Sequence, residues 1–320
     1  MSLVWDQHSC VALSVDADLG ELSRYEDAHG GFISLNVGYS LHTHEDSVKL
    51  LASFRSQVES MAGFTLARSV GDIVSAASAG QLAIAFDLED SRPLADDLDN
   101  VRRFVDLGVR TLGPSYNHQN RAGCGCLDAD DTGLTLWGRD LVREMNAAGM
   151  VPDGSHCSAR TGLDMCAVSV KPMIYSHSCM RAVWEHPRNI TDDQARACAD
   201  TGGVVGITGV GIFLGPNTPT LTAMTRHLEY IVELVGIEHA GVSSDYSFDY
   251  VDFREEIART PEVFDESYTR WGAIEWMSPE TFVTLASHLA GEGWSPSDIE
   301  AVVGGNFRRV AAESWNANEE

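Results

Sequence analysis

The sequence predicts an α/β fold of the (β/α)8 TIM-like barrel type, a metal-dependent hydrolase architecture formed by one domain over residues 1–320. Three observations lead there. Eight short apolar, β-rich runs alternate with stretches of helical periodicity, and eight such units in about 250 residues is the barrel count, where an open doubly wound sheet stops earlier. Two of the runs end in Ser-His, at His156 and at His177, the interval left by one crossover helix between parallel strands. The 320 residues are 44% hydrophobic, enough to fill a single large core.

In chain order, the predicted strands are Leu3–Trp5, Gly31–Val37, Leu82–Asp87, Val109–Leu112, Met150–Pro152, Pro172–Tyr175, Gly203–Thr208 and Ala240–Ser243. Between the second and third, Ser47–Met61 places Val48, Leu51, Phe54, Val58 and Met61 on one helical face. Cys157–Ser169 has room for a crossover helix and little else. Asn189–Thr191 followed by Asp192 and Asp193 has the form of a helix start, with acids at the positive end of the dipole. Thr222–Val235 carries a stripe of Leu228, Ile231, Val232 and Val235. Residues 246–278 are rich in acids and aromatics and lack clear strands, so they read as an insertion at the catalytic mouth or a dimer contact. Pro279–Trp315 supplies the closing helices, with Gly304-Gly305-Asn306 as a tight turn between them.

Charge narrows the partners. A formal net charge of −25, from 47 acidic and 22 basic residues, repels nucleic acid and anionic membrane. The acidic runs at Asp96–Asp99 and Asp128–Asp131 read as solvated surface instead of metal sites. Seven cysteines, an odd number without framework spacing, point to a reducing compartment. Cys124-Gly125-Cys126 is too closely spaced for Cys-x-x-Cys chemistry, which leaves two loop thiols that could approach the site. No secretory signal opens the chain and no apolar stretch approaches eighteen residues, so the expected location is cytoplasmic.

Reactive side chains of a barrel come from the carboxyl ends of different strands. Strand one is followed by Asp6–Cys10, which contains His8; strand three by Leu88-Glu89-Asp90; strand four by Tyr116-Asn117-His118; strand five by His156; strand six by His177; strand eight by Asp245. A lone histidine is more often a satisfied buried residue than a ligand, but two at equivalent strand ends reverse that preference. Three histidines with a glutamate and an aspartate are the inventory of a hydrolytic metal centre, because Zn2+ accepts imidazole nitrogen and carboxylate oxygen together. A glycosidase built on paired carboxylates has no need of those histidines.

Gly133–His156, Ser176-His177-Ser178, His186-Pro187-Arg188-Asn189, Gly241–Tyr246 and Gly304–Val310 together resemble the membrane (renal) dipeptidase family of the metal-dependent amidohydrolase superfamily, in its bacterial Tyr-Asn-x-x-Asn variant. The resemblance spans nearly the whole chain. It implies a zinc-dependent dipeptidase that hydrolyses small peptides with metal-activated water, with tolerance of D-residues at the C-terminal position, and a homodimer. It also implies two Zn2+ ions bridged by Glu89, with His156 and His177 on one ion and His8 on the other. Asp245 corresponds to the acid/base aspartate and Arg188 to the residue that holds the substrate carboxylate, a role suited to a guanidinium fork.

The chain departs from that pattern twice. The family's first motif is His-x-Asp, and the matching position here is Cys10. A thiolate binds Zn2+ at about 2.3 Å, so Cys10 is either a replacement ligand or a small buried thiol beside a one-metal site. Asp16-Ala17-Asp18 would offer carboxylates without a histidine, from a loop. At strand four, Tyr116 takes the place of a substrate-contacting histidine, and its hydroxyl can donate to a developing oxyanion; His118 reads as a solvated loop residue. Two alternatives stay open: a related amide hydrolase acting on N-acyl amino acids or lactams, and a catalytically impaired family member with one metal or none because of Cys10.

Overall fold

Every strand pairing in the computed structural model, which describes residues 4–28 and 31–315, is parallel. The strands are β1 (Trp5–Ser9), β2 (Phe32–Asn36), β3 (Phe64–Leu66), β4 (Leu82–Leu88), β5 (Val109–Leu112), β6 (Val151–Pro152), β7 (Ile174–Tyr175), β8 (Val204–Thr208) and β9 (Ala240–Ser243). One sheet has the order β1-β2-β4-β5-β6 with β3 added against β4, and a second has the order β7-β8-β9. Backbone pairing continues across both gaps. Asp153 bridges to Ile174 between β6 and β7, and at the other seam Asp245 N donates to His8 O at 3.0 Å while Cys10 bridges to Ser247. The result is a curled parallel sheet with helices between its strands.

Those helices follow from local signals. Helix α1 (His44–Ser60) starts at a Thr43–Asp46 capping box and buries Leu50, Leu51, Phe54 and Val58, while Val48 and Met61 stay only partly covered. Further along come α2 (Val70–Ser78), α3 (Asp99–Asp106), α4 (Leu136–Ala148) and α5 (Ala159–Val168), the last being the expected crossover between β6 and β7. The acidic start at Asp192 is capped by Thr191 with Gln194 in return, opening α6 (Asp192–Asp200). The short α7 (Gly211–Leu214), then α8 (Leu221–Val235), complete the run to β9.

Four expectations need correction. The first strand runs from Trp5 to Ser9, so His8 lies within it and not after it; Leu3 is outside the described residues. β3 has no counterpart among the predicted strands, because three half-buried residues at the side of β4 carry no alternation to read. Gly304 and Gly305 form a wide π-helical joint, not a tight turn. Asp128 and Asp131 are half-buried and order their loop: Asp128 accepts from Gly125 N at 2.8 Å, and Asp131 from Ser158 Oγ at 2.6 Å.

Residues 246–278 contain α9 (Tyr250–Arg259) and a single 3-10 turn at Glu266–Tyr268, with no strand among them. Four short helical pieces close the chain: α10 (Pro279–Phe282), α11 (Leu285–Gly291), α12 (Pro296–Glu300) and α13 (Asn306–Ser314). Phe307 of α13 packs against Gly206 of β8 and Gly241 of β9; a Cβ on Gly241 would come within 2.5 Å of the Phe307 ring. The closing helix thereby seals the end of the sheet at which the strands begin, beside Trp5, Phe32, Ala83, Val151, Ile174 and Val204. No helix among the described residues is long and apolar enough to cross a membrane.

Candidate metal centre

The strand ends bring six of the predicted residues together. His8 and Cys10 sit two apart on β1 and its extension and so share a face. Glu89 follows β4, His156 follows β6, His177 follows β7 and Asp245 follows β9. His8, Glu89, His156 and His177 are all less than one-tenth exposed. Glu89 turns its two oxygens to different partners: Oε1 lies 3.7 Å from His8 Nε2, while Oε2 lies 2.9 Å from His156 Nε2 and 3.5 Å from His177 Nε2. His8 Nε2 is also 3.5 Å from Cys10 Sγ and 3.8 Å from Asp245 Oδ1.

The far side of each ring fixes which nitrogen faces inward. His8 Nδ1 meets Asp87 Oδ1 at 3.1 Å, His156 Nδ1 meets Asn117 Oδ1 at 2.8 Å, and His177 Nδ1 meets Ser176 Oγ at 2.6 Å. Asn117 donates through its own Nδ2 to Val263 O, which identifies Oδ1 as the atom facing His156. Ser176 donates to the buried Asp153 and is left to accept from His177. Each imidazole therefore carries a proton on Nδ1, and three Nε2 atoms converge beside a carboxylate. His156 Nε2 and His177 Nε2 stand only 3.0 Å apart. Two lone pairs at that distance repel unless positive charge lies between or beside them, and the Arg188 guanidinium supplies some, with Nη2 3.2 Å from His156 Nε2. This donor set, with its outer hydrogen bonds, fits a borderline divalent cation such as Zn2+.

The electrostatics agree. Burial, helped by Arg188 and His8, pushes His156 and His177 well below the usual histidine range and keeps them neutral, the ligating form. Burial pulls His8 the same way, but the carboxylates of Asp87 and Glu89 outweigh it and raise the ring well above its ordinary value. Burial lifts Glu89 to about 8, Asp245 to about 6 and the Cys10 thiol to about 12. The pocket thus retains protons that a bound cation would displace. Backbone strain lies in the same place: Asp245 has φ 49° and Asn117 φ 57°, left-handed values that a residue with a Cβ adopts only when its surroundings impose them.

Arg188 is 2% exposed and is held by main-chain carbonyls, through Nη1 to Ser155 O and through Nη2 to His177 O at 3.1 Å. Its Nε is buried without a partner. Tyr116 stacks on His156 with centroids 3.9 Å apart and lines the same cavity as Arg188, Cys10 and Asp245. Residues 246–278 cover that cavity with Phe253, Glu256, Tyr268, Ile274 and Trp276. His118 lies outside the cluster, its side chain 40% exposed and paired with Asp128 at 3.3 Å. Asp16 and Asp18 are exposed and belong to no ligand group among the described residues. Of the loop thiols, Cys126 comes within 3.5 Å of Asn117 Oδ1, whereas Cys124 packs against Thr132.

Sequence reasoning missed the residues that aim the rings: Asp87, Asn117, Ser176 with Asp153, and Tyr268, whose hydroxyl donates to Asn117 Oδ1 at 3.1 Å. Asp87, Asp153 and Ser176 had a readable signal, each as the first polar residue after an apolar run; Asn117 and Tyr268 had none.

The profile of the membrane dipeptidase family (peptidase family M19) matches residues 14–276. A Klebsiella pneumoniae protein from the pqqA 5′ region is 32% identical over 220 residues, covering 65% of this chain and 80% of its own. Dipeptidase verJ of Clonostachys rogersoniana is 32% identical over 253 residues, 77% of this chain, and the match spans only 58% of that longer protein. In structure, an amidohydrolase from Pseudomonas aeruginosa superposes with a TM-score of 0.87 at 26% identity, over 98% of this chain and 97% of its own.

Proposed function

The chain belongs to the membrane dipeptidase family, and on that premise we propose that it is a zinc-dependent dipeptidase on a (β/α)8 barrel with two metal positions. Backbone pairing across both seams of the sheet supports barrel closure. The observation that carries the functional reading is Glu89, whose oxygens face His8 on one side and His156 with His177 on the other, as a carboxylate shared by two cations requires.

Bound zinc polarises a peptide carbonyl and lowers the pKa of water towards about 7. The chain's own groups would do the rest. Asp245 Oδ2 accepts from Thr208 Oγ1 at 3.2 Å, which leaves Oδ1, the oxygen turned towards His8, to take the proton of the attacking water and return it to the leaving amine. Arg188, clamped by carbonyls and lining the cavity, would hold the substrate carboxylate by its guanidinium charge. Tyr116, flat on His156, offers its hydroxyl to the developing oxyanion. A carboxylate clamp this close to the metal positions favours dipeptides, and family analogy adds tolerance of D-residues at the C-terminal position. Seven free cysteines support a reducing, cytoplasmic setting, and family analogy supports a homodimer.

Hydrolysis of Ala-Ala, L-Ala-D-Ala and N-acetyl-alanine, measured side by side on the purified protein, tests the reading. Both dipeptides should be cleaved, with activity lost to a chelator and restored by zinc. Preferential cleavage of N-acetyl-alanine would move the activity to N-acyl amino acids. No turnover by protein holding two equivalents of zinc would end the dipeptidase reading.

A further inference from the structure

We infer that Cys10 is a thiolate ligand, so that the metal position at His8 is a mixed nitrogen, sulfur and oxygen site formed by His8 Nε2, Cys10 Sγ and Glu89 Oε1, selective for thiophilic cations. The inference rests on the metal-centre reading above and adds what replaces the aspartate of the family's first motif.

Distance, backbone and charge each carry part of it. Ligand atoms about 2.0 and 2.3 Å from a tetrahedral zinc lie about 3.5 Å from each other; Cys10 Sγ lies 3.5 Å from His8 Nε2. That sulfur lines the cavity, and His8 Nε2 is its one hydrogen-bonding partner among the described residues. Its position is fixed by main chain on both sides: Cys10 N donates to Tyr246 O at 2.9 Å, and Phe248 N donates to Cys10 O at 2.8 Å. The same ladder holds the neighbouring Asp245, and His8 belongs to both groups of donor atoms among the described residues that fall within 4.8 Å of one another, with Cys10 and Asp245 in one and with Glu89 and His177 in the other. A thiolate carries the single negative charge of the carboxylate it replaces, so the charge of the donor set is unchanged. No carboxylate from the flanking loop competes, because Asp16 and Asp18 are exposed.

Loading breaks the S–H bond and forms a metal–sulfur bond, and the proton leaves to solvent through the cavity that Cys10 lines. The thiolate makes the site prefer Zn2+ to Mn2+ or Mg2+, which favour oxygen donors.

Cobalt substitution of the full chain separates the possibilities. Wild-type protein loaded with two equivalents of Co2+ should show sulfur-to-cobalt charge-transfer absorption in the near ultraviolet. Cys10→Ser should lose that absorption and bind the second equivalent at least tenfold more weakly while retaining the first. Cys10→Asp should bind both equivalents without the absorption, and its preference for zinc over manganese should fall at least tenfold. Two bound cobalt ions with no such absorption in the wild type, or absorption unchanged in Cys10→Ser, would overturn the assignment and leave the metal centre standing. A wild-type protein that takes up no cobalt would overturn both.

Discussion

Asp245 combines a left-handed backbone, a carboxyl raised to about 6 by burial, and one oxygen already bonded to Thr208. Asp245→Asn keeps the shape and removes the proton carrier, so kcat should fall by about 10²–10⁴ while metal content stays at the wild-type value. A cation beside the carboxylate favours its ionised form, so the acid limb of wild-type kcat/KM should lie at or below about pH 6 and should vanish in the variant. A variant with the wild-type limb would transfer the role to another group. At this scale the sequence was most legible where chemistry repeats: the Ser-His ends pointed to His156 and His177, and Glu89 stood at the carboxyl end of a predicted strand. It was least legible where a role depends on a neighbour in space. Asp87 orients His8 across the sheet from β4 to β1, and Asn117 orients His156 with help from Tyr268, 151 positions away; no local pattern encodes either pairing.

Between elements, the ends of β6 and β7 are tied by one buried carboxylate. Asp153, 5% exposed, accepts from Ser155 N, Ser155 Oγ, Ser176 N and Ser176 Oγ, and Ser176 passes the constraint to His177 Nδ1. Ser176→Ala removes the link while leaving the ligand in place. Zinc affinity should fall by about 10–100-fold, the usual consequence of losing a partner behind a ligating histidine. Stability should fall by about 1–3 kcal/mol, because a buried carboxylate loses a donor. Competition against a chromogenic chelator and denaturant melts read the two effects, and unchanged affinity with reduced stability would make the relay structural only. The strand ends themselves were legible because apolar runs of this length are bounded by polar residues. β3 was not, since edge strands of three half-covered residues look like loop. The extension of β1 past Trp5 was hidden by its polar residues, Asp6, Gln7, His8 and Ser9, all buried by the partners they find only in the folded chain.

For the whole molecule, the centre links stability to pH in a direction opposite to common acid denaturation. Glu89 has an ordinary value of 4.5 and is held at about 8, and His8 is held well above its ordinary 6.5. Above pH 6.5 the unfolded chain has released both protons and the metal-free fold still keeps them, so folding stability falls as pH rises from 6.5 towards 8. His156 and His177 have lowered values and act in the other sense, but their contribution is complete once pH reaches 6.5. Metal-stripped protein should therefore melt at a higher temperature at pH 6.5 than at pH 8. Zinc needs the same groups deprotonated and binds the assembled site more tightly than the unfolded chain, so its stabilisation should grow over the window in which the stripped protein weakens. Thermal melts at the two pH values, with and without two equivalents of zinc, should show a larger zinc-induced shift at pH 8. A stripped protein that gains stability between pH 6.5 and 8 would mean that Glu89 is ionised in the metal-free fold, with the positive charges of His8 and Arg188 holding it so.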